Sequence, residues 1–235
     1  MLLLFIDSLL LILITTNLGI LAQAGLNKLF RCTIQSDPFG IFLMGLIFTT
    51  IYLNIVSFGF PVDYRSLAPL LVISIFIPAA CKKEARSLSI SFHATWRLVR
   101  AHRWISLCLF ILLFLYWIKP STNPDSAGYH YLSILWYEKY KVVPGLANLD
   151  GRYAFNPAAF IIQSAYSFSG PAGQAIYPLN GVITGLFLSW LATRLIRYRQ
   201  SPAGLAHRDL SGRQYLDTHR RDRLLHERRR QPDAH

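Results

Sequence analysis

Asp125, His130 and Arg152 are the side chains whose types and spacing could do chemistry together. They lie in a polar and aromatic segment, 119–175, between two hydrophobic runs. Asp125 is the residue to weigh first. At the membrane edge, an extracytoplasmic carboxylate could take a proton from an acceptor hydroxyl or hold a metal on a lipid phosphate. Its plain alternative is a helix N-cap, because Asp before a helix accepts from the first free backbone N–H groups. His130, between Tyr129 and Tyr131, could bind a phosphate or relay a proton. It could equally be an interfacial ring bonded to the loop. Arg152 faces Asp150 across Gly151. Either the two form an exposed ion pair of little energetic weight, or Arg152 grips a phosphate oxygen with its planar fork of donors. Glu138 reads as solvated surface.

Local signals say how these groups are positioned. Thr122, Asn123, Pro124, Asp125 and Ser126 make a turn and a helix start. The helix is expected over 127–140. Leu132, Leu135, Trp136 and Lys139 share one face at three- and four-residue spacing, and His130, Ile134, Tyr137 and Lys141 share another. Such a helix suits the membrane surface, with Trp and Tyr at headgroup level. Pro144-Gly145 and Asp150-Gly151 mark two turns. The apolar run 158–168 is too short to span a bilayer and reads as a second surface helix or a re-entrant piece. No nucleotide-binding glycine loop and no GxSxG, HExxH or CxxC pattern occurs. These absences argue against an ATPase, a common serine hydrolase and a zinc peptidase. Cys32, Cys81 and Cys108 show no paired spacing.

The frame around this loop is hydrophobic. Of 235 residues 53% are hydrophobic and only 15% charged, against about 25% charged in soluble domains. The charges crowd between apolar blocks, as in a multi-pass membrane protein, whose hydrocarbon core needs about 20 apolar residues per helix. Five spans are expected, near 2–22, 40–59, 67–80, 105–118 and 176–196. The first also resembles a signal peptide, but no Lys or Arg precedes Lys28 and Asp7 lies within it. The net charge of +12 sits in connectors and tail, where it sets topology rather than binding nucleic acid. Connectors 23–39 and 81–103 and the tail are therefore expected in the cytoplasm. The N-terminus, the turn 60–66 and the loop 119–175 are expected outside. Segment 81–103 alternates Ile90, Phe92, Trp96, Leu98 and Trp104 with basic residues. It reads as an amphipathic helix on the anionic inner leaflet or as a plain positive-inside connector.

The chain divides into a transmembrane region 1–118, an extracytoplasmic loop 119–175, a last span 176–199 and a basic tail 200–235. The tail holds no Ile, Val, Phe or Trp and cannot bury a core. We expect it to be a frameshifted or artificial terminus of a protein that continued into further spans. A real basic cytoplasmic tail is the alternative.

The loop pattern resembles a family of uncharacterised bacterial multi-pass membrane proteins. The resemblance rests on Asp125, Tyr129, His130, Val143, Pro144, Gly145, Leu146, Asn148, Leu149, Gly151, Arg152, Phe155 and Asn156. It covers about residues 120–170. That family is similar in layout to the GT-C glycosyltransferases, which include dolichyl-phosphate-mannose-dependent mannosyltransferases and use polyprenyl-phosphate sugars. The resemblance implies an all-α transmembrane bundle in the bacterial inner membrane, transferring sugar at its outer face in surface glycan assembly. Asp125 would be the catalytic base. His130, Tyr129, Arg152 and Asn156 would bind substrate, and membrane lipid and a polyprenyl-phosphate-linked sugar would be the partners. No resident cofactor is expected, although Asp125 leaves room for a divalent metal. Two departures stand out. The acidic loop follows about the fourth span rather than the first, and Asp125 has Ser126 beside it where GT-C enzymes usually carry paired acids. The alternatives are a transporter, flippase or polymerase-like component of polysaccharide export, or an inactive truncated fragment. Transport should leave ionisable groups inside the spans, and only Asp7 qualifies.

Overall fold

The computed structural model describes residues 2–31, 33, 36–104, 106–108, 111, 115, 125–154, 158–173, 175 and 177–200. All regular structure among them is helical. Three helices are long and apolar enough to cross a membrane, or four elements if one bent pair counts as a span. The expected span 105–118 and the tail from 201 lie outside or largely outside the described residues. The chain forms two compact units, Met1–Leu188 and Ser189–His235. Of the second, the end of the last helix is described.

Helices α1 (Leu2–Leu29) and α2 (Pro38–Gly59) make the main hairpin of the first unit. Asp37 starts α2: its side chain accepts from the Gly40 N–H at 2.8 Å, and Pro38 occupies the first turn, where no backbone donor is needed. The two helices approach closely because small residues meet. A Cβ on Gly45 would lie 1.6 Å from the Thr15 carbonyl oxygen, and one on Gly19 would lie 1.9 Å from that of Ile41. In lipid, where apolar burial drives little, such close backbone contact is what holds helices together. The buried hydroxyls at this seam bond back to their own helices, Thr15 to the Leu11 carbonyl at 2.6 Å and Thr49 to that of Gly45 at 2.9 Å.

After the turn at Tyr64–Ser66, the 14-residue helix α3 (Leu67–Ala80) packs on the core through Leu67, Leu70 and Ile77. At about 21 Å it is shorter than the hydrocarbon core. The expected third span is thus a short helix, followed by a 91° bend into α4 (Lys82–Ala101). Helix α4 has the sharp apolar–basic segregation anticipated for 81–103, with Ile90, Phe92 and Trp96 exposed.

The loop is helical and docked. Helix α5 (Tyr131–Lys139) buries Ser133 and Ile134 and leaves Leu132 and Leu135 exposed. The Tyr137 carbonyl accepts from the Val62 N–H at 2.7 Å, and the Val142 N–H donates to the Ser57 carbonyl at 2.8 Å. The loop and the 60–66 turn therefore share one end of the bundle. Helix α6 (Ala158–Ala165) places Ile161, Ile162 and Ala165 in the same core as Leu11, Ile14 and Leu70. The run 158–168 is thus inserted in the bundle rather than laid on its surface. A four-residue turn of helix, α7 (Ser169–Ala172), is followed by α8 (Leu179–Gln200), the last helix among the described residues.

Candidate functional site

The helix expected over 127–140 does not begin as a capped α-helix. Ser126–His130 is a π turn, closed by the Tyr131 N–H donating to the Ser126 carbonyl, and only then does α5 start. Asp125 has helical backbone angles and makes no side-chain capping bond. The N-cap reading of Asp125 is therefore set aside. A true cap needs extended backbone so that its carboxylate can turn back onto the first N–H groups. A π turn widens the helix by one residue and recurs at functional sites.

Arg152 sits in the short helical turn Gly151–Ala154. Its backbone N–H donates to Asp150 Oδ1 at 2.9 Å and its Nε to the same oxygen at 3.2 Å, while Nη2 lies 3.2 Å from Oδ2. The local ion pair of the plain reading is present. The Arg152 backbone and side-chain bonds hold the Asp150 carboxyl below its usual range. Asp150, and more weakly Asp125 and Tyr129, hold the Arg152 guanidinium above its own. Both side chains of the pair are substantially exposed.

The guanidinium also reaches the π turn. Its carbon lies 5.6 Å from the centre of the Tyr129 ring, and Nη1 passes 3.9 Å from where a Cβ on Gly128 would stand. The Arg152 guanidinium thus lies by the Tyr129 ring, and the Asp125 charge is near enough to act on it. His130 is half-buried and turns toward rings, with centroids 4.3 Å from Tyr129 and 5.1 Å from Phe160. Asn156 lies outside the described residues. Among the described residues, no group of three or more His, Cys, Asp or Glu side chains converges as metal ligands.

Two features went unseen in the sequence, and a third was noted there but not its enclosure. Glu138, read as solvated surface, accepts a bond from the Ser169 hydroxyl and so links α5 to α7. An open depression of about 400 Å³ lies between the end of α2 and 139–144, with Lys139 and Lys141 among its lining residues. It is separate from Asp125 and Arg152. Finally, Asp7 is buried in α1 at 3% exposure. Only the last had a signal, a lone acid in an apolar run, and only the folded bundle shows that the acid is enclosed.

A family model described as a domain of unknown function (DUF8201) matches residues 1–207. No curated protein and no solved structure matches the chain.

Proposed function

The chain belongs to the DUF8201 family, and from that premise and the loop we propose that it is a glycosyltransferase of the inner membrane. It would use a polyprenyl-phosphate sugar at the outer face, in surface glycan assembly of the cell envelope. The reading includes five spans, with the loop 119–175 outside. The observation that carries it is the Arg152 guanidinium by the Tyr129 ring at a π turn, within range of the Asp125 charge and beside a helix with exposed Leu132 and Leu135. Asp125 serves as base toward the acceptor hydroxyl. Arg152 stabilises the leaving phosphate by placing positive charge where negative charge develops, and His130 offers it a ring N–H. Asp150 occupies part of the Arg152 fork, so a phosphate must share or displace it. An exposed pair contributes little, which makes the exchange feasible. Tyr129 and Asn156 complete the substrate contacts, and the bilayer presents the lipid carrier.

The test is Asp125→Asn in intact cells with surface glycan as readout. A positioned general base contributes about 100-fold or more to rate, so the glycan should fall sharply at unchanged protein level. An unchanged profile would move the assignment to the second reading, a transporter, flippase or polymerase-like component of export. That reading is favoured by one observation, the buried acid inside α1.

A further inference from the structure

Helix α4 belongs neither wholly to the bundle nor to water. Ala85, Leu88, Phe92, Trp96 and Val99 recur at three- and four-residue spacing and so share one face. At its start this stripe is seated, because Ala85 and Leu88 pack against the hydrophobic core. Further along it runs off the bundle, and Phe92 and Trp96 are more than half exposed. Lys82, Arg86, Arg97 and Arg100 make a second row along one edge of the stripe, and all four are exposed. Ile90, also exposed, falls on that basic side and takes no part in the stripe. The helix carries five lysines and arginines against one acid, Glu84. Among the described residues, none of the five cations forms an ion pair.

Few surroundings suit such a helix. Its charges keep it from crossing the bilayer, since each Lys or Arg at the centre of a span opposes insertion. A second copy of α4 laid stripe to stripe would bring two cationic rows together, and like charges at a contact oppose pairing. A membrane surface satisfies both rows at once, with acyl chains for the aromatic residues and phosphates for the cations. The fold also delivers the helix there. Helix α3 packs on α1, which is long and apolar enough to cross a membrane, and a 91° bend then turns α4 across the direction of α3.

We propose that α4 is a binding site for anionic phospholipid of the bilayer in which the chain sits. Phe92 and Trp96 enter among the acyl chains, and Arg86, Arg97 and Arg100 hold headgroup phosphates at the edge of the stripe. Ala85 and Leu88 fix the other end of the same stripe to the core, so lipid and bundle share one continuous apolar face. This inference stands apart from the loop chemistry, because its readout is lipid contact and not glycan.

The full chain in nanodiscs of mixed phosphatidylcholine and phosphatidylglycerol tests it. Cys32, Cys81 and Cys108 are replaced by serine, and Ser89→Cys, at the border of stripe and basic row, carries a fluorophore. Brominated phosphatidylglycerol should quench it more than the same amount of brominated phosphatidylcholine. Arg86→Gln, Arg97→Gln and Arg100→Gln should each cut that preference, by up to about five-fold, the scale of one basic side chain at an anionic surface. The three together should abolish it, whereas lysine at the same positions should keep it. Phe92→Ser with Trp96→Ser should instead lower quenching by both lipids. Equal quenching by the two lipids, or a preference that survives the triple glutamine variant, would make α4 a plain connector and overturn the proposal. Quenching by neither lipid would overturn it as well, by placing the stripe against protein.

Discussion

At the residue scale, Arg152 does two jobs that conflict. It neutralises Asp150 at the turn, and it lies within reach of Asp125 and Tyr129. If Arg152 also grips a lipid phosphate, Asp150 is its competitor. Asp150→Asn should then strengthen transfer rather than weaken it, while Arg152→Lys, which loses the planar fork, should weaken it. Paired measurements of glycan output at equal protein level decide this. An equal fall in both variants would make the pair purely structural. The same pair sets a pH dependence. Because folding holds the Asp150 carboxyl below its unfolded value, its contribution to stability is complete above the ordinary aspartate range. It is lost as pH falls through the lower folded value. Wild type and Asp150→Asn should therefore converge in thermal stability only below about pH 4, and a melting series against pH checks it. Asp125 shows what sequence reading offers at this scale. Its candidacy was legible from its residue type and the turn before the expected helix. The π turn was not, because a five-residue closure depends on the packing that receives it, and so of the two readings of Asp125 the cap is the one without its bond.

At the element scale, the α1–α2 seam offers a sharper test. Both long helices were legible as uninterrupted apolar runs, but their contact was not, since glycine at a seam and glycine facing lipid look alike in a sequence. Gly45→Ala drives a Cβ into the Thr15 backbone, whereas Gly25 has nothing within 4 Å of the same atom. Overpacking of this kind costs about 1–3 kcal/mol. Gly→Ala at an open helical position gains up to about 1 kcal/mol. Gly45→Ala should lower the unfolding temperature in detergent and Gly25→Ala should hold or raise it. If both shift alike, the close crossing is not what holds the hairpin. Helix α6 teaches a related point. The run 158–168 was legible as too short to span, yet whether it lies on a surface or inserts is decided by Ile161, Ile162 and Tyr166 finding the core. Periodicity cannot report that.

At the scale of the whole molecule, the docked loop and the cations of α4 are separated by the length of α3. The loop is tied to the 60–66 turn by the Val62–Tyr137 and Val142–Ser57 backbone bonds. Helix α3 carries the chain away from that turn, and the cations of α4 follow it. Lysine and arginine clusters stay in the cytoplasm, so the loop with Asp125, Arg152 and the depression at 139–144 should face outward. This is the arrangement that outer-face sugar transfer requires, and it can be measured directly. With the three native cysteines replaced by serine, Leu149→Cys in the exposed turn should react with a membrane-impermeant maleimide in intact cells. Arg86→Cys in α4 should react only after the membrane is opened. The reverse pattern would turn the molecule over. It would leave Asp125 on the cytoplasmic side and remove outer-face glycosyl transfer, whatever Asp125→Asn does to the glycan. Reaction at both positions in intact cells would mean that α4 is not a cytoplasmic surface helix, and the positive charge would then need another account.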